Sequence, residues 1–259
     1  MILTVDVGNS NIVVGAFDED TLVFSARLNT EKKRLSDEYA IDLRNIFALY
    51  GANRTVEGAI LSSVVPGLTP VLKRAIKVVF DLDALVVGPG IKTGMNIRID
   101  NPSQLGSDIL ADAVGAFHQY PAPIVIFDLG TASTISVTDE KGSILGGAIL
   151  PGVTLSLNAL SQTAAQLPEI SMEPPKDIIG TNTIDCMRSG ILFGNASMID
   201  GMIDRLTERL GKQPTVVATG GIAETIIPHC KHDIILDPAL QLKGLLQLYR
   251  KNRPCGVLK

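Results

Sequence analysis

A single carboxylate, Asp6, follows the apolar run Ile2 to Val5 in MILTVDVGNSNIVVGAF. After Val7 come Gly8, Asn9, Ser10 and Asn11, before apolar residues resume at Ile12 and Val13. The arrangement returns at an offset of 122 residues in IVIFDLGTASTISV, where Asp128 ends the run Ile124 to Phe127 and Gly130 and Thr131 follow. Turns of glycine, small amides and hydroxyls expose backbone N–H groups without bulky side chains, which suits phosphate oxygens. The acid adds a place for a cation, bound directly or through water. Phosphoryl transfer from a nucleotide needs the charge of the polyphosphate neutralised in this way. Taken singly, each stretch also reads as an ordinary hairpin turn in which Asp and Gly are turn formers. Two matching copies, each with its acid at the end of a buried run, favour the phosphate reading.

Three further stretches carry candidate chemistry. Gly220 and Gly221 in VVATGGIAE stand between an apolar strand and a helical segment, where backbone can approach an adenosine face; a plain helix-start turn is the equal alternative. In LGSD, Ser107 and Asp108 open an amphipathic helix, and a helix N-terminus favours an acid by about 0.3–1 kcal/mol whether or not it has a further role. GPGIKTG (88–94) lacks the glycine that a P-loop places directly before its lysine, having Ile91 there. His229, Cys230 and His232 in HCKH are too few and too close in sequence to hold a metal ion without distant ligands.

The elements that must position these residues follow from periodicity and punctuation. Each acid-bearing segment reads as strand, polar turn, strand, turn, strand. Without a gap, the same offset places Asp18-Glu19-Asp20 on Glu140-Lys141-Gly142 and Leu22-Val23 on Ile144-Leu145. A helix is expected from Ser36 toward a capping Gly51, a strand in AILSSVVP stopped at Pro66, and a helix around Thr69 to Phe80. A short strand in ALVVG and a helix from about Ser107 to Gln119 come next, the latter with Ile109, Leu110, Ala113, Val114 and Phe117 on one side. The second half repeats the theme: a long helix near 183–210, the strand TVVATGG, and a last helix near 240–250. Two similar α/β lobes result, 1–120 and 121–259, with a ligand expected in the cleft between them.

The chain has 259 residues, 46% of them hydrophobic, ample core for such lobes. With 23 basic and 27 acidic residues its net charge is −4 and no basic block suits a nucleic-acid backbone. No run approaches the roughly 18 apolar residues of a membrane span. Cys186, Cys230 and Cys255 form no C-x-x-C pair, so neither a disulfide framework nor a zinc knuckle is indicated. A soluble cytoplasmic protein is the expectation.

In order, DVGNSN, DLGTAST and ATGG resemble the two phosphate motifs and the adenosine motif of the acetate and sugar kinase and actin superfamily. The chain is more closely similar to type III pantothenate kinase (the Bvg accessory factor-like family). It matches in DEYA (37–40), SSVVP (62–66), DNP with LGSD (100–102, 105–108), GGAILPG (146–152), TAAQLP (163–168), NT with SGI (182–183, 189–191) and DPALQLKGL (237–245). The resemblance implies two duplicated ribonuclease H-like (actin-like ATPase) lobes with mixed sheets flanked by helices. It implies a homodimer that phosphorylates pantothenate with ATP, the first committed step to coenzyme A. The turn Asp6, Val7, Gly8, Asn9, Ser10, Asn11, Ile12 and Val13 would hold the phosphates, with Mg²⁺ at Asp6. Gly130, Thr131, Gly220 and Gly221 would contact ATP, and Asp128 would hold a monovalent cation, K⁺ or ammonium. Asp108 would be the catalytic base. Ile99, Gly106, Ser107, Asp108, Ile109 and Thr183 would face the acceptor.

Two positions depart from the family pattern. Where most members continue Gly-Ala-Asp-Arg, this chain has Gly106-Ser107-Asp108-Ile109, and Ile99 replaces a tyrosine common before Asp-Asn-Pro. Loss of a planar, multi-donor cation alters the acceptor side, since pantothenate carries a carboxylate. A pantothenate kinase with a diverged acceptor site is the leading expectation. A kinase for another small alcohol and a non-catalytic ATP-binding regulator are the alternatives.

Overall fold

A computed structural model describes residues 1–51 and 55–253; Cys255 lies outside the described residues. The first sheet is built from β1 (Ile2–Val7), β2 (Asn11–Asp18), β3 (Thr21–Asn29), β4 (Gly58–Ser63) and β5 (Leu85–Val86) in the order β3-β2-β1-β4-β5. The second holds β6 (Asn96–Ile97), β7 (Ile124–Leu129), β8 (Ala132–Thr138), β9 (Ser143–Pro151), β10 (Thr215–Thr219) and β11 (Ile235–Leu236) in the order β11-β10-β7-β8-β9-β6. Apart from the short β6, the two orders are the same. In each, the first three strands are antiparallel neighbours and the remaining two run parallel beside the first.

The registers correct the gap-free alignment. Asp6 pairs with Val13 and Val7 with Ile12, so the first turn runs from Gly8 to Asn11. Asp128 pairs with Thr134 and Leu129 with Ser133, so its counterpart, Gly130 to Ala132, is one residue shorter. The lost residue is recovered at the next turn. Asp18 pairs with Thr21 around Glu19-Asp20, whereas Asp139 N donates to Ser143 O (2.9 Å) around the longer Glu140–Gly142. Asp139 Oδ1 accepts Ser143 N (2.7 Å) and Lys141 N (2.9 Å), and Gly142 takes the left-handed φ of 75° that the longer turn needs. Because strand side chains alternate, a one-residue shift exchanges faces. The burial patterns of β2 and β8 coincide only with that shift included, and both copies carry a bulge, after Ala16 and after Val137.

Helices cover the sheets in two compact units. The first unit comprises residues 1–96, 100–119 and those from Ala239 on; the second comprises 97–99 and 120–238. In the first, α1 (Ser36–Leu49) and α2 (Thr69–Phe80) place Tyr39, Leu43, Phe47, Leu72 and Ile76 against Leu3, Val5, Val7, Ile12 and Val14. Glu38 accepts Leu35 N (2.8 Å) at the start of α1, and Gly51 follows its end at φ 60°. α3 (Ser107–Gln119) lies in the same unit. In the second unit, α4 (Val153–Thr163) and α5 (Thr183–Leu210) pack Val153, Leu157, Leu192, Ile199 and Ile203 on Val125, Phe127 and Leu129. A short α6 (Ala223–Ile226) follows β10.

The last helix, α7 (Leu240–Asn252), groups with the first unit, not with the second half of the sequence. Glycines allow this close packing on α3. A Cβ at Gly244 would lie 1.8 Å from Ala111 O, and one at Gly115 would lie 2.5 Å from Leu240 O. Leu242 and Leu246 then pack with Phe17. α3 is consequently buried on both sides. Ala111, Asp112, Gly115 and Ala116 are covered along with Leu110, Ala113 and Val114, while Phe117, expected in the buried stripe, is exposed.

Candidate active site

In the first unit, Asp6 is buried near the end of β1, in register with Ser62 on the parallel strand β4. The turn after it is closed by Gly8 N donating to Asn11 O (3.0 Å). Thr30 holds it from β3's end, its Oγ1 donating to Gly8 O (2.7 Å) and its N–H to Ser10 O (3.0 Å). Asn9, Ser10 and Asn11 are exposed, Gly8 is half-buried, and Val7 and Ile12 are buried as anchors. The turn therefore presents polar groups on a frame held by buried strand residues.

The same register leads to Asp108. Ser62 is fully buried, and its Oγ donates to Ser107 Oγ (2.9 Å) in the first residue of α3. Asp108 comes next, half-buried, its Oδ1 accepting Ile109 N (2.8 Å). A Cβ at Gly106 would lie 2.3 Å from that Oδ1, so glycine clears the space the carboxylate occupies. Ile109 is half-buried and supplies no donor at its side chain. Asp6, Ser62, Ser107 and Asp108 thus form one connected run of positions within a single unit. The motifs around Ser62 and Ser107 were legible, but the bond between them was not.

In the second unit, three segments meet at the 128–131 turn. A Cβ at Gly220 (φ 95°) would lie 2.6 Å from Asp128 Oδ1 and 2.6 Å from the Leu129 backbone. Ile222 N donates to Leu129 O (3.4 Å), and Gly221 is exposed beside it. From the other side, Gly152 N donates to Thr131 O (3.2 Å), and a Cβ on Gly152 would lie 2.3 Å from the carbonyl oxygens of Gly130 and Thr131. The ATGG and DLGTAS motifs are brought together within the second unit. Gly152 ends the GGAILPG stretch, and its close approach has no sequence signal of its own. Thr183 is exposed at the start of α5, whose first turn is capped by Asn182 Oδ1 accepting Asp185 N (2.9 Å). Ile99 is half-buried in the second unit, 3.8 Å from where a Cβ of Gly146 would stand.

The donor chemistry fits cations held jointly with a substrate. Among the described residues no group of three or more His, Cys, Asp or Glu side chains could cage a metal ion, HCKH included. Mg²⁺ suits such a site, since it keeps waters and is bound through one or two carboxylates plus phosphate oxygens. At Asp128, a carboxylate oxygen stands beside the backbone of Leu129 and Gly220, and such an oxygen is a ligand that a monovalent cation can take. GPGIKTG leads into no helix; its Lys92 N donates to Asn252 Oδ1 (2.8 Å). Cys230 is half-buried, and burial first, then Asp200, pushes its thiol up to about 12. Among the described residues no helix is long and apolar enough to cross a membrane.

Two sheets of one strand order, each with an acid at the end of its first strand, define the class: duplicated ribonuclease H-like lobes of the actin-like ATPase type. Solved structures of similar fold include a Baf family protein from Campylobacter jejuni, described as a transcriptional activator (TM-score 0.61, 20% identity, 96% of this chain and 98% of that one). Another is the activator of 2-hydroxyisocaproyl-CoA dehydratase from Clostridium difficile with bound ADPNP (TM-score 0.55, 14% identity, 96% and 93% covered). The chain belongs to the type III pantothenate kinase family, whose model matches residues 2–205. A type III pantothenate kinase of Halalkalibacterium halodurans is 41% identical over 253 residues, covering 97% of this chain and all of its own length. One of Pelobacter propionicus is 43% identical over 254 residues, covering 98% of this chain and all of its own.

Proposed function

We propose that this chain transfers the γ-phosphoryl group of ATP to the terminal hydroxyl of pantothenate, giving 4′-phosphopantothenate and ADP, the first step of coenzyme A biosynthesis. Family membership makes it a small-molecule kinase. The observation that carries the reading is the single hydrogen-bonded frame joining the polar turn after Asp6 to the helix start that bears Asp108.

Roles follow from chemistry. Backbone and short side chains from Val7 to Val13 cradle the phosphates, and Gly130, Thr131, Gly220 and Gly221 take the rest of the nucleotide. Asp6 holds Mg²⁺ directly or through water, and Asp128 a monovalent cation; when bound, these ions offset the charge of the triphosphate. Asp108 orients the acceptor hydroxyl and accepts its proton late, because a loose phosphoryl-transfer transition state needs little early proton removal. Gly106, Ser107, Ile109, Ile99 and Thr183 form the acceptor side, with the two isoleucines making it more apolar than an arginine and a tyrosine would.

A cytoplasmic homodimer goes with this reading. The second unit exposes Ile149 (74%), Ile178 (62%) and Ile179 (75%), apolar side chains of the kind that association covers.

The test is ADP release with Mg²⁺ and K⁺, comparing pantothenate, pantetheine, other small alcohols and no acceptor. Pantothenate-dependent turnover is the expected result. Turnover only with another alcohol, or ATP binding with no turnover at all, would overturn it. For Asp128, activity that survives replacement of K⁺ and ammonium by Na⁺ would remove the cation assignment.

A further inference from the structure

The buried hydroxyl of Ser62 is the feature of the first unit that no role above consumes. It sits at 0% exposure on β4, in register with Asp6, and its hydrogen bond crosses to another element rather than to its own strand. The acceptor is the side chain of Ser107, immediately before Asp108. From the geometry we infer that the Ser62–Ser107 pair positions Asp108 for phosphoryl transfer, locking the first turn of α3 to the strand beside the phosphate turn. Asp108 has little else to fix it. Its Oδ1 bonds the N–H of its own neighbour Ile109, and on the Gly106 side the space is open by the absence of a Cβ. A carboxylate attached to a helix start is only as well placed as that start. The Ser62 hydroxyl, buried and bonded, ties it to β4, and loss of alignment by an ångström at such a position costs about a hundredfold in rate. In this pair Ser62 is a positioning residue: it touches Asp108's frame, not the substrate.

The inference rests on Asp108 as the acid that meets the acceptor, so the experiment separates the two. Turnover with pantothenate and ATP is measured for the whole chain and for Asp108→Asn, Ser107→Ala, Ser62→Ala, Ser62→Ala/Ser107→Ala and Ser107→Thr. Expected are a kcat about tenfold lower in each single serine-to-alanine variant with both KM values within about twofold, a double variant no worse than either single, and recovery of kcat in Ser107→Thr, which keeps the hydroxyl. Because alanine is a good helix former, Ser107→Ala keeps α3 and its melting temperature reports any loss of fold separately. Unchanged kcat in Ser107→Ala beside an inactive Asp108→Asn would overturn the positioning role alone. Additive losses in the double variant, or equal changes in kcat and KM without rescue by threonine, would also overturn it. Full activity in Asp108→Asn would instead remove the reading of Asp108 on which it rests.

Discussion

The two hairpins share a frame but part company just beyond their acids. Asp6 is in register with Ser62 on β4, and Asp128 with Thr219 on β10, so each acid has a hydroxyl residue beside it on the parallel strand. With the one-residue shift included, Val13, Gly15 and Phe17 of the first copy correspond to Thr134, Ser136 and Thr138 of the second. In the first unit the hydroxyl reaches a helix start carrying a second acid. In the second, the strand is followed by Gly220, where an added Cβ would lie 2.6 Å from the acid's own Oδ1. A duplicated frame has thus been finished with a carboxylate at a helix start in one unit and with close-packed backbone in the other.

Substitutions at one glycine of each unit should expose this division. Gly220→Ala meets both a left-handed φ of 95° and the Leu129 backbone at 2.6 Å, so it costs about 1–3 kcal/mol in folding and weakens ATP binding by about a hundredfold. Gly8→Ala meets only Asn11 O at 3.0 Å and should cost about 1 kcal/mol at most. Equal losses in calorimetric ATP titrations of the two variants would erase the contrast.

A smaller effect is expected at Gly106. An added Cβ there reaches only the movable carboxylate of Asp108, 2.3 Å away, so Gly106→Ala keeps the fold and ATP affinity while kcat falls about tenfold. Steady-state kinetics beside thermal melts would check this. A lowered melting temperature with unchanged kcat would place the strain elsewhere.

The longer turn of the second copy gives the smallest effect. Burial raises the Asp139 carboxyl, but the backbone N–H groups of Ser143 and Lys141 outweigh it, leaving the group below the ordinary carboxylate range. A depressed folded pKa gives stability that is complete above the unfolded value near 3.8 and is lost as pH falls through the folded one. Asp139→Ala should therefore cost about 1 kcal/mol at neutral pH, with the gap to the parent narrowing below about pH 4 in urea melts. A gap that is constant with pH would mean that the ionised form does not hold the turn.

Much of this organisation was legible beforehand, where punctuation is strong. Helices α2 and α3 fall at the expected residues, and α5 spans 183–210, because Pro70, Asp108, Asn182 and Gly211 mark their ends in residue type alone. The one-residue shift was hidden because a shorter first turn and a longer second turn restore the offset, so the alignment matches at both ends. α4 carries no such mark: VTLSLNALSQT has no capping side chain at Gly152. The return of α7 to the first unit depends on Gly115 and Gly244, whose value as a crossing point appears only when two distant helices meet. The Ser62–Ser107 bond likewise spans 45 residues between two ordinary serines.

The central claim of the proposed function is that Asp108 serves the transfer and not the holding of ATP. Its most direct test pairs pantothenate-dependent ADP release with equilibrium ATP binding in Asp108→Asn. The expected result is turnover reduced by about a thousandfold with ATP affinity within about threefold of the parent. Retained turnover, or ATP binding lost together with turnover, would contradict it.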